Sequence, residues 1–145
     1  MTKEKGIKMS RSTLAMVREF HETYGAVVKD QPDVAGTAVN RLRINLLREE
    51  LKELEEALEN NDVVEALDAL TDLQYVLDGA FLALGLHAAK DAAFAEVHRS
   101  NMSKLGRDGK PILREGDNKV MKGPDYFKPD LESVVEVCFN HEKAA

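Results

Sequence analysis

The chain has 145 residues, of which 43% are hydrophobic and 32% charged, and its formal net charge is −6. This length predicts a single domain over residues 1–145, and the acidic balance excludes non-specific binding to polymeric nucleic acid, which needs a positive surface. The single cysteine, Cys138, excludes an intrachain disulfide and is typical of a cytoplasmic protein in a reducing compartment.

The N-terminal residues 1–9 are basic but lack the apolar run of a signal peptide, so we expect a loose lead-in there. Either Ser10 or Ser12 can cap a first helix that runs to about Tyr24. Gly25 is expected to end this helix, because glycine adopts the left-handed backbone conformation that follows many helices.

Two long helices are predicted next, from about Thr37 to Asn60 and from Asp62 to Gly85. The short break between them predicts an antiparallel hairpin. From Val63 to Leu86 the second of these helices has four acidic residues among mostly apolar ones and no Lys or Arg, so it is interrupted too often to span a membrane. Unpaired charge in an apolar setting is very costly, and a divalent cation would neutralise it.

The acidic residues have the spacing of a metal site. Residues three and four apart share a helix face, so the hairpin can bring two sets of carboxylates together across one seam. Carboxylate oxygens suit Mg²⁺, with Mn²⁺ as a second possibility. The candidate ligands on the first helix of the hairpin are Glu50 and Glu53, with Glu49 one position away. Those on the second helix of the hairpin are Glu65, Asp68 and Asp72.

Some of the acidic residues have interpretations other than metal binding. Glu55, Glu56 and Glu59 are typical of a solvated helix face, and Asp78 lies off the stripe, which favours a structural or interfacial role. Glu65 can serve in capping instead of binding a metal. A di-iron site is disfavoured because no Glu-x-x-His spacing occurs in the chain, and zinc is disfavoured because no Cys/His cluster occurs.

A fourth helix is predicted from about Ala88 to Met102, which completes an all-α, four-helix-bundle-type core over residues 10–102. Its end carries possible phosphate-binding side chains, namely His98, Arg99, Asn101 and Lys104. A loop-rich arm that can reach a partner subunit is predicted over residues 103–145. Within it, the Asp-Gly pair at 108–109 can join a short hairpin, and a terminal helix runs from Asp130 to about His141.

These motifs together resemble the all-α nucleoside triphosphate pyrophosphohydrolases, the MazG-like superfamily that includes dimeric dUTPases and phosphoribosyl-ATP pyrophosphohydrolase. The family pattern is E-x-x-E followed by E-x-x-D, and Glu50 and Glu53 match its first half. If Asp72 is the Asp of the E-x-x-D motif, then Ala69 occupies the position of the Glu, three residues earlier. Either Asp68 substitutes from the neighbouring position, or the pair is Glu65 and Asp68. The segment EVHRSNMSK and the following arm resemble a phage and bacterial branch.

The resemblance implies Mg²⁺-dependent hydrolysis of a (deoxy)nucleoside triphosphate, a small-molecule substrate, to monophosphate and pyrophosphate. It implies a homodimer or homotetramer. It further implies that Glu49 or Glu50 serves as general base and that Arg99 and Lys104 stabilise the phosphates. Candidates for the base pocket are Phe20, His21 and Asn45.

Two other functions fit the same residues. A non-catalytic helical module would use the acidic seam to bind a metal or a basic partner. Phosphoribosyl-ATP hydrolysis is the third, and the arm after Lys104 argues against it. The sequence leaves the preferred base open.

Overall fold

The computed structural model describes residues 11–140. These residues form five α-helices, one 3-10 turn at His87–Ala89 and a two-stranded antiparallel sheet. The prediction of an all-α fold is therefore confirmed. The helices are α1 (Thr13–Tyr24), α2 (Thr37–Glu59), α3 (Val63–Ala83), α4 (Lys90–Met102) and α5 (Leu131–Phe139), and the strands are β1 (Ile112–Leu113) and β2 (Val120–Met121).

Three helices begin where a side-chain oxygen caps the free backbone N–H groups of the first turn. Ser12 accepts a hydrogen bond from the Ala15 amide at 3.1 Å, and Asp62 and Asp130 do the same for α3 and α5. Ser12 is thus a cap of α1. The alternative cap Ser10, and the predicted helix end at His141, lie outside the described residues.

The chain divides into two compact units, with the boundary after His87. The first unit contains α1, α2 and α3, and the second contains α4, the hairpin and α5. This division groups α4 with the arm, whereas the sequence placed α4 in the helical core. The predicted single domain, with its core at 10–102 and arm at 103–145, stays a prediction.

The first unit is built on the hairpin of α2 and α3. Ala57 of α2 and Ala69 of α3 are both buried, and the two helices pack against each other. The tip is fixed by a hydrogen bond from the Asp62 amide to the Ala57 carbonyl at 2.9 Å. Helix α1 also contacts α3, and its Val17 is fully buried.

The connector between α1 and α2 (residues 25–36) is held against the end of α3 by backbone groups. The amides of Lys29 and Asp33 donate to the carbonyls of Leu82 and Leu84, each at 3.0 Å. Gly85 ends the helix in the left-handed conformation (φ +68°), as predicted, and a Cβ there would lie only 2.0 Å from the Gln31 carbonyl oxygen. Glycine is therefore required at this contact for both conformation and space.

The hairpin of the second unit is joined by a different turn from the one expected. The Asp-Gly pair at 108–109 does form a turn, in which the Gly109 amide donates to the Gly106 carbonyl. That turn precedes β1, however, and the two strands are joined by residues 114–119. Gly116 and Asn118 supply the positive φ angles that this longer connection needs, at +102° and +56°.

No single helix in residues 11–140 is long and apolar enough to cross a membrane. The consecutive helical segments Val63–Ala83 and His87–Met102 reach that length and composition only when they are taken together across the break between them.

Candidate functional site

The acidic seam centres on Glu50, which is half-buried. Its Oε2 atom is buried and has no hydrogen-bond partner among the described residues. Burial is the largest cause that raises the pKa of Glu50. The negative charge of Asp72 is the next cause, followed by the charge of Glu53, a hydrogen bond with Glu53, and the charge of Asp68. Four of the predicted carboxylates therefore lie close enough to repel one another.

The other two predicted acids of the seam do not contribute to the raised pKa of Glu50. Glu49 is exposed to solvent on α2. Glu65 lines an acidic cleft of about 360 Å³ near the hairpin tip, which it shares with Glu53 and Asp62. Its amide donates to the Asp62 carboxylate at 3.0 Å, so its backbone takes part in the cap of α3. The metal-binding role of each acid stays a prediction.

The donor set of this seam fits a hard divalent cation. Carboxylates that crowd one another, with a buried oxygen lacking a partner, are stabilised by a positive ion that accepts several oxygen ligands. In residues 11–140 no three such side chains are already close enough to enclose an ion. Binding would therefore require the carboxylates to converge from their present positions.

The aromatic ring of Tyr75 follows the acids along α3, and Phe20 of α1 lies against it. The Phe20 ring lies 5.6 Å from the Tyr75 ring in an edge-on arrangement, and 4.6 Å from the Tyr24 ring. His21 is buried, and its Nδ1 lies 2.9 Å from the Val27 carbonyl oxygen, so it donates there and supports the connector. Phe20 and His21 thus lie together, whereas Asn45 is exposed on α2.

Arg43 is a residue of this region that the sequence analysis missed. A Cβ at Gly79 of α3 would lie 2.7 Å from Arg43 Nη1 and 2.9 Å from His21 Nε2. The three helices therefore meet around Gly79. The spacing of Arg43, seven residues before Glu50 on one face of α2, is the signal that could have identified it.

In the second unit, Arg99 is engaged by neighbouring residues. It donates two hydrogen bonds to Glu96, at 2.9 and 2.8 Å, and its guanidinium lies 4.4 Å from the Phe127 ring centroid. The Ser100 hydroxyl donates to the Phe127 carbonyl at 2.8 Å. The RSNMS segment thus holds the chain before α5 in place. The i, i+3 spacing of Glu96 and Arg99 is a sequence signal for this ion pair.

Asn101 is exposed at the end of α4, and Lys104 is partly exposed just beyond it. Among residues 11–140 no ion pair engages the Lys104 ammonium group. Both side chains are available to a ligand, and their predicted phosphate-binding role, like that of Arg99, stays a prediction.

Acid should loosen the contact between α4 and the segment before α5. Hydrogen bonds from Arg99 and from the Asp130 amide lower the pKa of Glu96 to about 2, from an ordinary value of 4.5. Because the folded state favours the ionised form, this stabilisation is complete above pH 4.5 and is lost as the pH falls towards 2. The protection of the Asp130 amide against hydrogen exchange should fall between pH 6 and pH 3.

Glu96→Gln should show the weaker protection already at pH 6, whereas Glu136→Gln, at an exposed position of α5, should behave like the wild type. Equal protection of the wild-type amide at both pH values would contradict the assigned role of Glu96.

Three comparisons place the chain among known proteins. A family model described as phosphoribosyl-ATP pyrophosphohydrolase matches residues 17–101. An uncharacterised protein of Acanthamoeba polyphaga mimivirus is 27% identical over 113 residues, which cover 73% of this chain and 45% of that protein, so the chain spans less than half of that relative. The crystal structure of a candidate NTP pyrophosphohydrolase from Exiguobacterium sp. 255-15 is 26% identical, with 93% of this chain and 99% of that chain covered and a TM-score of 0.47.

Proposed function

Because this chain belongs to the phosphoribosyl-ATP pyrophosphohydrolase family, whose model matches more than half of it, we propose that it hydrolyses a (deoxy)nucleoside triphosphate to the monophosphate and pyrophosphate. The observation that carries this proposal is the crowding of Glu50 by three other carboxylates on the family's helical hairpin. A triphosphate brings more negative charge to this seam, so a bound cation is required for the two to meet.

The residues proposed to hold Mg²⁺, or Mn²⁺, are Glu50, Glu53, Asp68 and Asp72. When bound, the ion polarises phosphate oxygens and lowers the pKa of a coordinated water. The general base that accepts the proton of the attacking water is Glu49, or it is Glu50 if Glu53, Asp68 and Asp72 alone hold the ion. Desolvation of Glu50 strengthens this role, because burial raises the pKa of its carboxyl and makes the carboxylate more basic.

Phosphoribosyl-ATP is a second candidate substrate, because the matching family model has this description. The arm over residues 103–145 lies outside the matched residues 17–101, so it is not accounted for by that family's common core. A nucleoside triphosphate without the second ribose phosphate therefore remains the proposed substrate.

We also infer that the chain acts as a homodimer or homotetramer. The outer face of α3 leaves Val63 and Val64 80% and 73% exposed, and Leu67 is 66% exposed. Apolar side chains in such a row are costly in water, and burial against a second copy removes that cost.

Pyrophosphate release tests the proposal. The full chain is incubated with the natural NTPs and dNTPs, dUTP and phosphoribosyl-ATP, in the presence of Mg²⁺, Mn²⁺ or EDTA. We expect release that EDTA abolishes. Failure with every nucleotide would favour the non-catalytic module, which would also show no gain in thermal stability from Mg²⁺ with a triphosphate.

A further inference from the structure

Arg43 holds a positive charge that the described residues do not compensate. Its side chain is half-buried, and its Nε is buried without a hydrogen-bond partner in residues 11–140. Burial alone lowers the pKa of the guanidinium. A desolvated charge is costly unless it is paired or hydrogen-bonded. The position of Arg43 therefore favours a ligand that brings acceptors.

The guanidinium is fixed by its surroundings. Gly79 leaves the space for Arg43 Nη1, since a Cβ there would lie at 2.7 Å. The same space beside Gly79 is bordered by His21, whose ring is held by its 2.9 Å contact with the Val27 carbonyl. Arg43 thus rests on the backbone of α3 in a restricted position, which lowers the entropic cost of binding a ligand.

One stripe of α3 presents two carboxylates, an aromatic ring and the glycine against which Arg43 of α2 lies. Asp68, Asp72, Tyr75 and Gly79 follow each other at spacings of four, three and four residues, so they share one face. Gly79 lies about 10 Å along the helix axis from Asp72. Tyr75 stands between them, 39% exposed, with Phe20 against its ring at 5.6 Å. The order is carboxylate, aromatic ring, guanidinium, which matches phosphate, base plane and base edge in a nucleotide.

We propose that Arg43 binds the edge of the substrate's base and sets base selectivity; this rests on the proposed nucleotide hydrolysis. A guanidinium has five donors and no acceptor, so it prefers two adjacent acceptors. Guanine offers O6 and N7, and cytosine offers O2 and N3, whereas adenine places an amino donor beside its acceptors. Stacking on Tyr75 and Phe20 tolerates any base, so discrimination falls to Arg43.

Binding of α,β-methylene analogues of dGTP, dCTP, dATP and dTTP in Mg²⁺, measured by calorimetry, tests this assignment without turnover. The wild type should bind the guanine or the cytosine analogue about tenfold or more tightly than the adenine analogue. The guanine and cytosine measurements identify which acceptor pair is read. Arg43→Met should abolish the preference and Arg43→Lys should weaken it. Arg41→Met, which removes an exposed arginine of the same helix, should leave it unchanged.

The unfolding temperature distinguishes a ligand-binding role of Arg43 from a structural one. Arg43→Met should unfold at the same or a higher temperature, since it removes an uncompensated charge. An unchanged preference in Arg43→Met, an equal loss of affinity for all four analogues, or no base preference in the wild type would each overturn the inference without contradicting the proposed function. Absence of binding by every analogue would instead overturn the proposed function together with it.

Discussion

Glu50→Gln should lower pyrophosphate release by about a hundredfold or more while it stabilises the protein in the absence of metal. The substitution keeps the shape of the side chain but removes a charge that is crowded by Asp72, Glu53 and Asp68. Loss of this repulsion favours the folded, metal-free chain, and loss of the carboxylate weakens cation binding. Release rates and thermal unfolding with and without Mg²⁺ measure the two effects.

Glu55→Gln is the matched control, because Glu55 is an exposed glutamate of the same helix. It should change neither the rate nor the stabilisation by Mg²⁺. The two variants therefore separate the seam from the general acidity of α2. Turnover by Glu50→Gln near the wild-type rate would remove Glu50 from the proposed machinery.

Gly85→Ala should destabilise the first unit by about 3 kcal/mol or more. The added Cβ would lie 2.0 Å from the Gln31 carbonyl oxygen, at a residue with φ +68°. The connector must then move, and its backbone hydrogen bonds to Leu82 and Leu84 are strained with it. Urea unfolding followed by circular dichroism gives the change in the free energy of unfolding.

Gly25→Ala separates the two causes of that loss. Gly25 has almost the same backbone conformation, φ +70°, but a Cβ there would meet no heavy atom within 4 Å. Its loss should be about 1 kcal/mol, from the left-handed conformation alone. Equal losses in the two variants would show that the contact with Gln31 contributes little.

Local rules account for what the sequence predicted well. Ser12 caps α1 as predicted, and Asp62 and Asp130, which were predicted at helix starts, cap α3 and α5, because a short polar side chain beside a helix start needs no distant partner. Helical spacing placed Glu50 and Glu53 on one face in the same way. The approach of Asp68 and Asp72 follows from the antiparallel hairpin, which the break at residues 60–61 predicted.

The features that the sequence did not reveal depend on contacts between elements. In the sequence, nothing distinguishes Arg43 from an ordinary surface arginine. Its guanidinium is desolvated only because the fold places it against Gly79. The proposed stacking role of Tyr75 depends on its contact with Phe20, which lies on another helix. The hairpin turn at 114–119 was missed because the Asp-Gly pair at 108–109 is the stronger local signal, although it forms a separate turn.

The connector over residues 25–36 shows a consequence for the evolution of this chain. Its contacts with α3 are made by the backbone groups of Lys29 and Asp33, and Gln31 meets Gly85 through its carbonyl. Residues 30–35 are exposed, so substitutions among them should be largely neutral, apart from those that disturb Asp33. The mutational tolerance of this contact is therefore uneven, since one partner can drift in sequence while the other is confined to glycine.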